Sequence, residues 1–226
     1  MRALVIQYDA DAPAGLVSAW LRERGVEEHV HLVCADGDRP TDPRDYDLIV
    51  PLGSEAAAYD DTVPWLADQL TMVRRAAEAD VPVLGICFGS QLLARALGGE
   101  AMRNAGPEIG WVSIHSDDPE LVAEGPWMEW HYDTFTAPPG ARLIAHSAAG
   151  PQAYTIGRSL GVQFHPEVTV DIVGDWVGDG LDQLGRAGLD PERLLAETRD
   201  LDAGNRERAW HLFDAFIERV AGVPAA

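Results

Sequence analysis

Short continuous apolar runs alternate with segments whose apolar residues recur every three or four positions, and this alternation predicts the first half of the fold. Residues 2–7 read as a buried strand. Residues 14–24, with Leu16, Val17, Trp20 and Leu21 on one face, read as a helix that stops at Gly25. A second strand is expected at 29–33, where His29 and His31 alternate with Val30 and Leu32 and so take the solvent side. A loop at 36–45, rich in Asp, Pro and Arg, leads to a third strand at 47–52, and past Pro64-Trp65 comes a helix over roughly 65–79. The run 81–86 is a fourth strand. After it Leu92, Leu93, Ala96 and Leu97 keep helical spacing until Gly98-Gly99. Continuous apolar strands separated by helices imply a parallel sheet covered on both faces, an α/β fold.

The pattern changes at residue 100. Runs at 111–115, 127–130, 142–146 and 152–156, separated by Gly-Pro, Asp-Asp-Pro and Pro-Pro-Gly turns, predict strands and hairpins. From 168 the spacing is helical again: Ile172, Val173, Trp176 and Val177 share a face, Pro191 opens a helix to about Thr198, and Trp210, Phe213, Phe216 and Ile217 mark another over 209–220. The expectation is one domain over 1–226 whose helical extension, about 168–226, packs on the sheet.

Composition narrows the function. A net charge of −20 argues against a nucleic-acid partner, which needs a basic stripe. No run approaches the roughly 20 apolar residues that span a bilayer, and the N-terminus enters a strand without a secretory leader. The expected location is the cytoplasm. Two cysteines, Cys34 and Cys87, make neither a disulfide framework nor a zinc ribbon, and Cys34 reads as a small filler at a strand end. All 17 basic residues are arginine, which excludes a lysine Schiff base and the lysine of a phosphate-binding loop. ATP-driven chemistry would belong to another polypeptide.

Candidate chemistry begins at Gly85-Ile86-Cys87-Phe88-Gly89, on the turn from the fourth strand into the next helix. Gly85 and Gly89 remove β-carbons that would clash there, so Cys87 can take a strained conformation, and the helix N-terminus favours its thiolate. This is a nucleophile elbow with sulfur for oxygen. A core cysteine beside a tight turn gives the same short motif, so a second segment matters. Gly161-Val162-Gln163-Phe164-His165-Pro166-Glu167 supplies it: residues i and i+2 of extended chain share a side, which lets Glu167 orient the His165 ring while its other nitrogen faces the thiol. Cys87, His165 and Glu167 are the candidate catalytic set.

Gly-Ile-Cys-Phe-Gly-Ser-Gln followed 78 residues later by His-Pro-Glu resembles the class I glutamine amidotransferases. Among these the free-standing proteins similar to the amidotransferase domain of GMP synthetase are most alike, and the likeness runs from about residue 45 to 170. It implies a three-layer flavodoxin-like sheet and hydrolysis of the glutamine side-chain amide through a cysteinyl thioester, with no metal and no organic cofactor. It also implies substrate contacts. The turn Leu52-Gly53-Ser54-Glu55 would offer an oxyanion-binding N–H from Gly53 or Ser54 beside that of Phe88, although the family's second glycine and proline are here Ser54 and Glu55. Gln91 would meet the amino-acid end of the substrate, and the backbone of His131-Tyr132-Asp133 would grip its α-groups. Glu108-Ile109-Gly110-Trp111 matches a recurrent segment of the family.

Two further departures bear on the pocket: Ser90 stands where the family has histidine, and Tyr132 where it has glycine. A metal role for His131 and Asp133 has no third ligand nearby in sequence. The resemblance allows a synthetase or other ammonia-accepting partner. Two rivals remain: a γ-glutamyl peptidase with the same thioester, and a non-catalytic regulatory or binding subunit.

Overall fold

The computed structural model describes residues 1–35 and 42–222. The expected loop at 36–45 lies outside the described residues up to 41, and Pro43–Asp45 form a short 3-10 turn. The main sheet contains β1 (Arg2–Gln7), β2 (Glu27–Leu32), β3 (Leu48–Pro51), β4 (Val83–Ile86), β6 (His115–Ser116), β8 (Arg142–His146), β9 (Pro151–Ile156) and β10 (Ser159–Val162). Their order is β2-β1-β3-β4-β10-β9-β8-β6. The first five are parallel neighbours and the last three run antiparallel. A separate ribbon pairs β5 (Glu100–Val112) with β7 (Trp127–Thr136).

Strand alternation divides the core into layers. Ala3 and Val5 of β1 join Leu48, Val50, Leu84 and Ile86 on one face of the sheet. There they meet α1 (Gly15–Glu23) through Leu16, Val17, Trp20 and Leu21, and the C-terminal helix through Leu212, Phe213, Phe216 and Ile217. Leu4 and Ile6, the intervening residues, face α2 (Leu66–Glu78) and α3 (Phe88–Ala96) through Leu66, Val73, Leu92 and Leu93. These are the three layers expected, with the helical tail sealing one of them.

The tail begins with α4 (Val170–Asp179), capped by the Thr169 hydroxyl, and α5 (Leu181–Ala187). Instead of separate helices at 191–198 and 209–220, one helix, α6, runs from Pro191 to Ala215 and passes into a π-helical turn at Phe216–Val220. The sequence suggests a gap because 199–208 carries no apolar face, but buried polar side chains hold this stretch: Asn205 donates to the Val168 carbonyl at 3.2 Å. Arg208 also lies over the Trp127 ring.

Two other expectations change. On the edge strand β2 it is Val30 that is exposed, 45% accessible, while His31 is buried. His29 turns to the Tyr46 hydroxyl. Cys34 is exposed and fills nothing. An edge strand has one neighbour and incomplete cover, so its alternation does not say which face is wet.

Candidate active site

The elbow forms as its glycines require. A β-carbon on Gly85 would lie 2.6 Å from the Gly89 carbonyl oxygen, and one on Gly89 would lie 2.0 Å from that of Pro51 on β3. Cys87 between them adopts φ +50°, ψ −109°, left-handed and costly for a side-chain-bearing residue. Its N–H is held by the Val162 carbonyl at 2.8 Å, and its own carbonyl accepts from the N–H groups of Ser90 and Gln91. Behind it the Phe88 ring packs edge-on against Tyr8 and Trp65.

His165 arrives from the chain following β10, where a backbone bridge to Met128, N–H to carbonyl at 2.8 Å, keeps it extended. Its Nδ1 lies 2.7 Å from Glu167 Oε1. A carboxylate only accepts, so Nδ1 carries the proton and Nε2 is the free face of the ring. Nε2 has no hydrogen bond in this state. Burial would lower the proton affinity of His165, but the charges of Glu167 and Cys87 and their hydrogen-bonding capacity outweigh it and raise the pKa well above its ordinary value. A β-carbon on Gly53 would touch His165 Cε1 at 3.1 Å and Cys87 Cβ at 3.8 Å, so Gly53, Cys87 and His165 converge. Trp176 of α4 packs edge-on against the His165 ring at 4.8 Å between centroids.

A cavity of about 340 Å³ opens over these groups. Gly53, Ser54, Cys87, Phe88, Gln91, His131, Tyr132, Asp133 and His165 all line it. Glu167 stands behind His165 instead, buried. Ser90 does not line it either: its side chain is fully buried and donates to the Cys87 carbonyl at 2.7 Å, so the exchange of histidine for serine opens no space there. Tyr132 does shape the wall, with the Arg103 guanidinium 4.7 Å over its ring and 3.2 Å from Asp133.

Sequence reasoning missed several lining residues, notably Arg103, Trp130, Trp176 and Gln183. It also missed Gln163, whose Nε2 donates to Cys87 Sγ at 3.5 Å while its Oε1 accepts from Gln91 Nε2 at 3.1 Å. The alternation that pairs His165 with Glu167, carried one step back, would have found Gln163. The same alternation sets Glu129 beside His131, while Glu108 is brought opposite it by the β5–β7 register. His131 Nε2 lies 3.3 Å from carboxylate oxygens of both Glu108 and Glu129. Burial pushes Glu129 up to about 7. His131, which burial would lower, is raised to about 10 by the two carboxylates.

The family model of class I glutamine amidotransferases matches residues 16–175. A GMP synthase (glutamine-hydrolyzing) of Bifidobacterium longum is 32% identical over 176 residues, covering 73% of this chain and 31% of that protein. One from Trichormus variabilis is 33% identical over 171 residues, 70% of this chain and 30% of its own length. The chain thus spans about a third of these curated relatives. Among solved structures, a glutamine amidotransferase of Methylobacillus flagellatus superposes with a TM-score of 0.89 at 29% identity, covering 100% of this chain and 96% of that one. One from Thermotoga maritima gives 0.86 at 28% identity, over 96% and 98% of the two chains. The protein belongs to the class I glutamine amidotransferase family.

Proposed function

We propose that the protein hydrolyses the side-chain amide of glutamine to glutamate and ammonia, with Cys87, His165 and Glu167 as its catalytic set. The observation that carries this reading is the His165 ring, oriented by Glu167 at 2.7 Å and left with a free Nε2 beside a cysteine on a strained elbow. The Cys87 thiolate attacks the amide carbon, and the oxyanion takes N–H donors from Phe88 and from Gly53 or Ser54. The Glu55 N–H is already given to Asp9 at 2.9 Å, which leaves those two as the donors of that turn. His165, protonated, gives its Nε2 proton to the departing ammonia. It then takes a proton from the water that opens the thioester, and glutamate leaves.

Gln91 and the backbone of His131-Tyr132-Asp133 would hold the α-groups of the substrate, and Arg103 offers the positive charge for its carboxylate. Ammonia would pass to a separate synthetase chain, in keeping with the GMP synthases that this chain matches over only part of their length. The test is Cys87→Ala: circular dichroism should stay as in wild type while ammonia release from glutamine disappears. Wild-type-like release would overturn the assignment.

A second reading, γ-glutamyl peptidase, draws support from one feature. The cavity continues past the catalytic atoms to Trp130, Trp176, Asp179 and Gln183, more room than ammonia needs. The two readings part on kcat/KM for glutamine against γ-glutamyl dipeptides and glutathione. A tenfold preference for the dipeptides, about 1.4 kcal/mol of transition-state discrimination, would replace the amidotransferase with the peptidase.

A further inference from the structure

The β5–β7 ribbon brings together a group of side chains that the proposed reaction does not use. Its register sets Glu108 directly opposite His131, and Glu129 precedes His131 by two residues on the same side of β7. Ligand atoms of the three residues lie within 4.8 Å of one another. Glu129 is fully buried; neither of its carboxylate oxygens makes a hydrogen bond, and Oε2 is paired with His131 Nε2 at 3.3 Å. A buried carboxylate is held by a cation, and two can serve here: the His131 imidazolium, or a metal ion in place of its Nε2 proton.

His131 faces the pair with an acceptor. Its Nδ1 lies 2.8 Å from the Asp133 carbonyl oxygen, which can only accept, so in the neutral ring Nδ1 holds the proton and Nε2 presents a lone pair. Metal-bound histidines are commonly oriented in this way, by a backbone carbonyl on the other nitrogen. Glu108 is oriented as well, its Oε2 accepting from Gln152 Nε2 at 2.7 Å and Ser147 Oγ at 3.0 Å.

The separations distinguish a metal ion from a proton. From Nε2 to Glu108 Oε2 and to Glu129 Oε2 the distances are both 3.3 Å. A charge-assisted N–H···O⁻ bond closes to about 2.7–2.9 Å, so one proton on Nε2 serves both carboxylates poorly. Ligands about 2.0–2.1 Å from a tetrahedral zinc stand about 3.3 Å from each other, which is the spacing from His131 Nε2 to each carboxylate, and all three ligand atoms lie within 4.8 Å of one another. We propose that His131, Glu108 and Glu129 form a three-ligand site for a divalent ion of the zinc type. His131 lines the cavity, which gives the ion a route in. The ion sits in the cavity wall rather than at the reacting atoms, so its role is to fix or regulate that wall.

Cys34 and the Cys87–His165 pair would also attract zinc, so the test uses Cys34→Ser/Cys87→Ala as its background. Titrated with CoCl2 and ZnCl2, this variant should bind one ion per chain, with the visible absorption of tetrahedral Co²⁺ and no thiolate-to-cobalt band. Adding Glu129→Gln should weaken binding by more than the roughly 10–100-fold that loss of a supporting contact costs. No saturable binding, or binding unchanged by Glu129→Gln, overturns the site. Should Glu129→Gln fail to fold, crystals of the background variant soaked in ZnCl2 decide by anomalous scattering. A peak bonded to His131 Nε2 and both carboxylates supports the proposal, and peaks only on surface carboxylates, or none, refute it.

Discussion

The carbonyl oxygen of Gly89 occupies the place where a β-carbon on Gly85 would stand, 2.6 Å away. The two glycines of the elbow are therefore constrained by different neighbours, Gly85 by the turn itself and Gly89 by β3. Gly85→Ala and Gly89→Ala should each cost about 1–3 kcal/mol, the usual range for overpacking. Gly185→Ala, in α5 with nothing within 4 Å of the added carbon, should instead gain about 0.5–1 kcal/mol. Urea unfolding of the three variants checks both signs, and stable elbow variants would mean that the turn can shift.

Turnover should rank His165→Ala below Glu167→Gln. An amide at 167 can still accept from Nδ1 and keep the ring oriented, whereas a missing imidazole leaves no group to move the proton. Steady-state ammonia release from the two variants is the measurement. A deader Glu167→Gln enzyme would give the carboxylate a more direct part than orientation.

Gln163→Leu should lower kcat/KM by roughly 10–100-fold, as expected for a hydrogen bond to a charged group worth about 1.5–3 kcal/mol. The side chain is fully buried and donates to Cys87 Sγ, a bond that matters most when the sulfur is a thiolate. Unchanged kinetics with unchanged folding would reduce Gln163 to packing.

His165 should also make stability depend on pH. Its folded pKa is raised above the ordinary 6.5 by Glu167 and Cys87 against the effect of burial, and Glu129 is a further carboxyl group near it. A group raised on folding stabilises fully below its unfolded pKa and loses that contribution as pH climbs through the folded one. The stability advantage of wild type over His165→Gln should therefore be largest below about pH 6.5 and shrink above it. Urea midpoints of both proteins across that range test the sign, and an advantage that grows with rising pH would refute it.

The local geometry of the candidate site was written in the sequence. Gly85, Cys87 and Gly89 imply an elbow because the clash they avoid lies within a few bonds, and His165 and Glu167 meet because extended chain puts i and i+2 on one side. The alternation of apolar runs and helical spacing likewise predicts the layers of the core. What depends on a partner strand or helix could not be read that way. Only the β5–β7 register sets Glu108 against His131, and only the packing of α4 brings Trp176 onto the His165 ring. Hydrogen bonding and buried polar contacts carry α6 through a stretch without an apolar face. The exposure of Val30 and the burial of His31 follow from which neighbours cover an edge strand. Such pairings join residues far apart in the chain, and their geometry is fixed when the whole core closes, not by the spacing of any one segment.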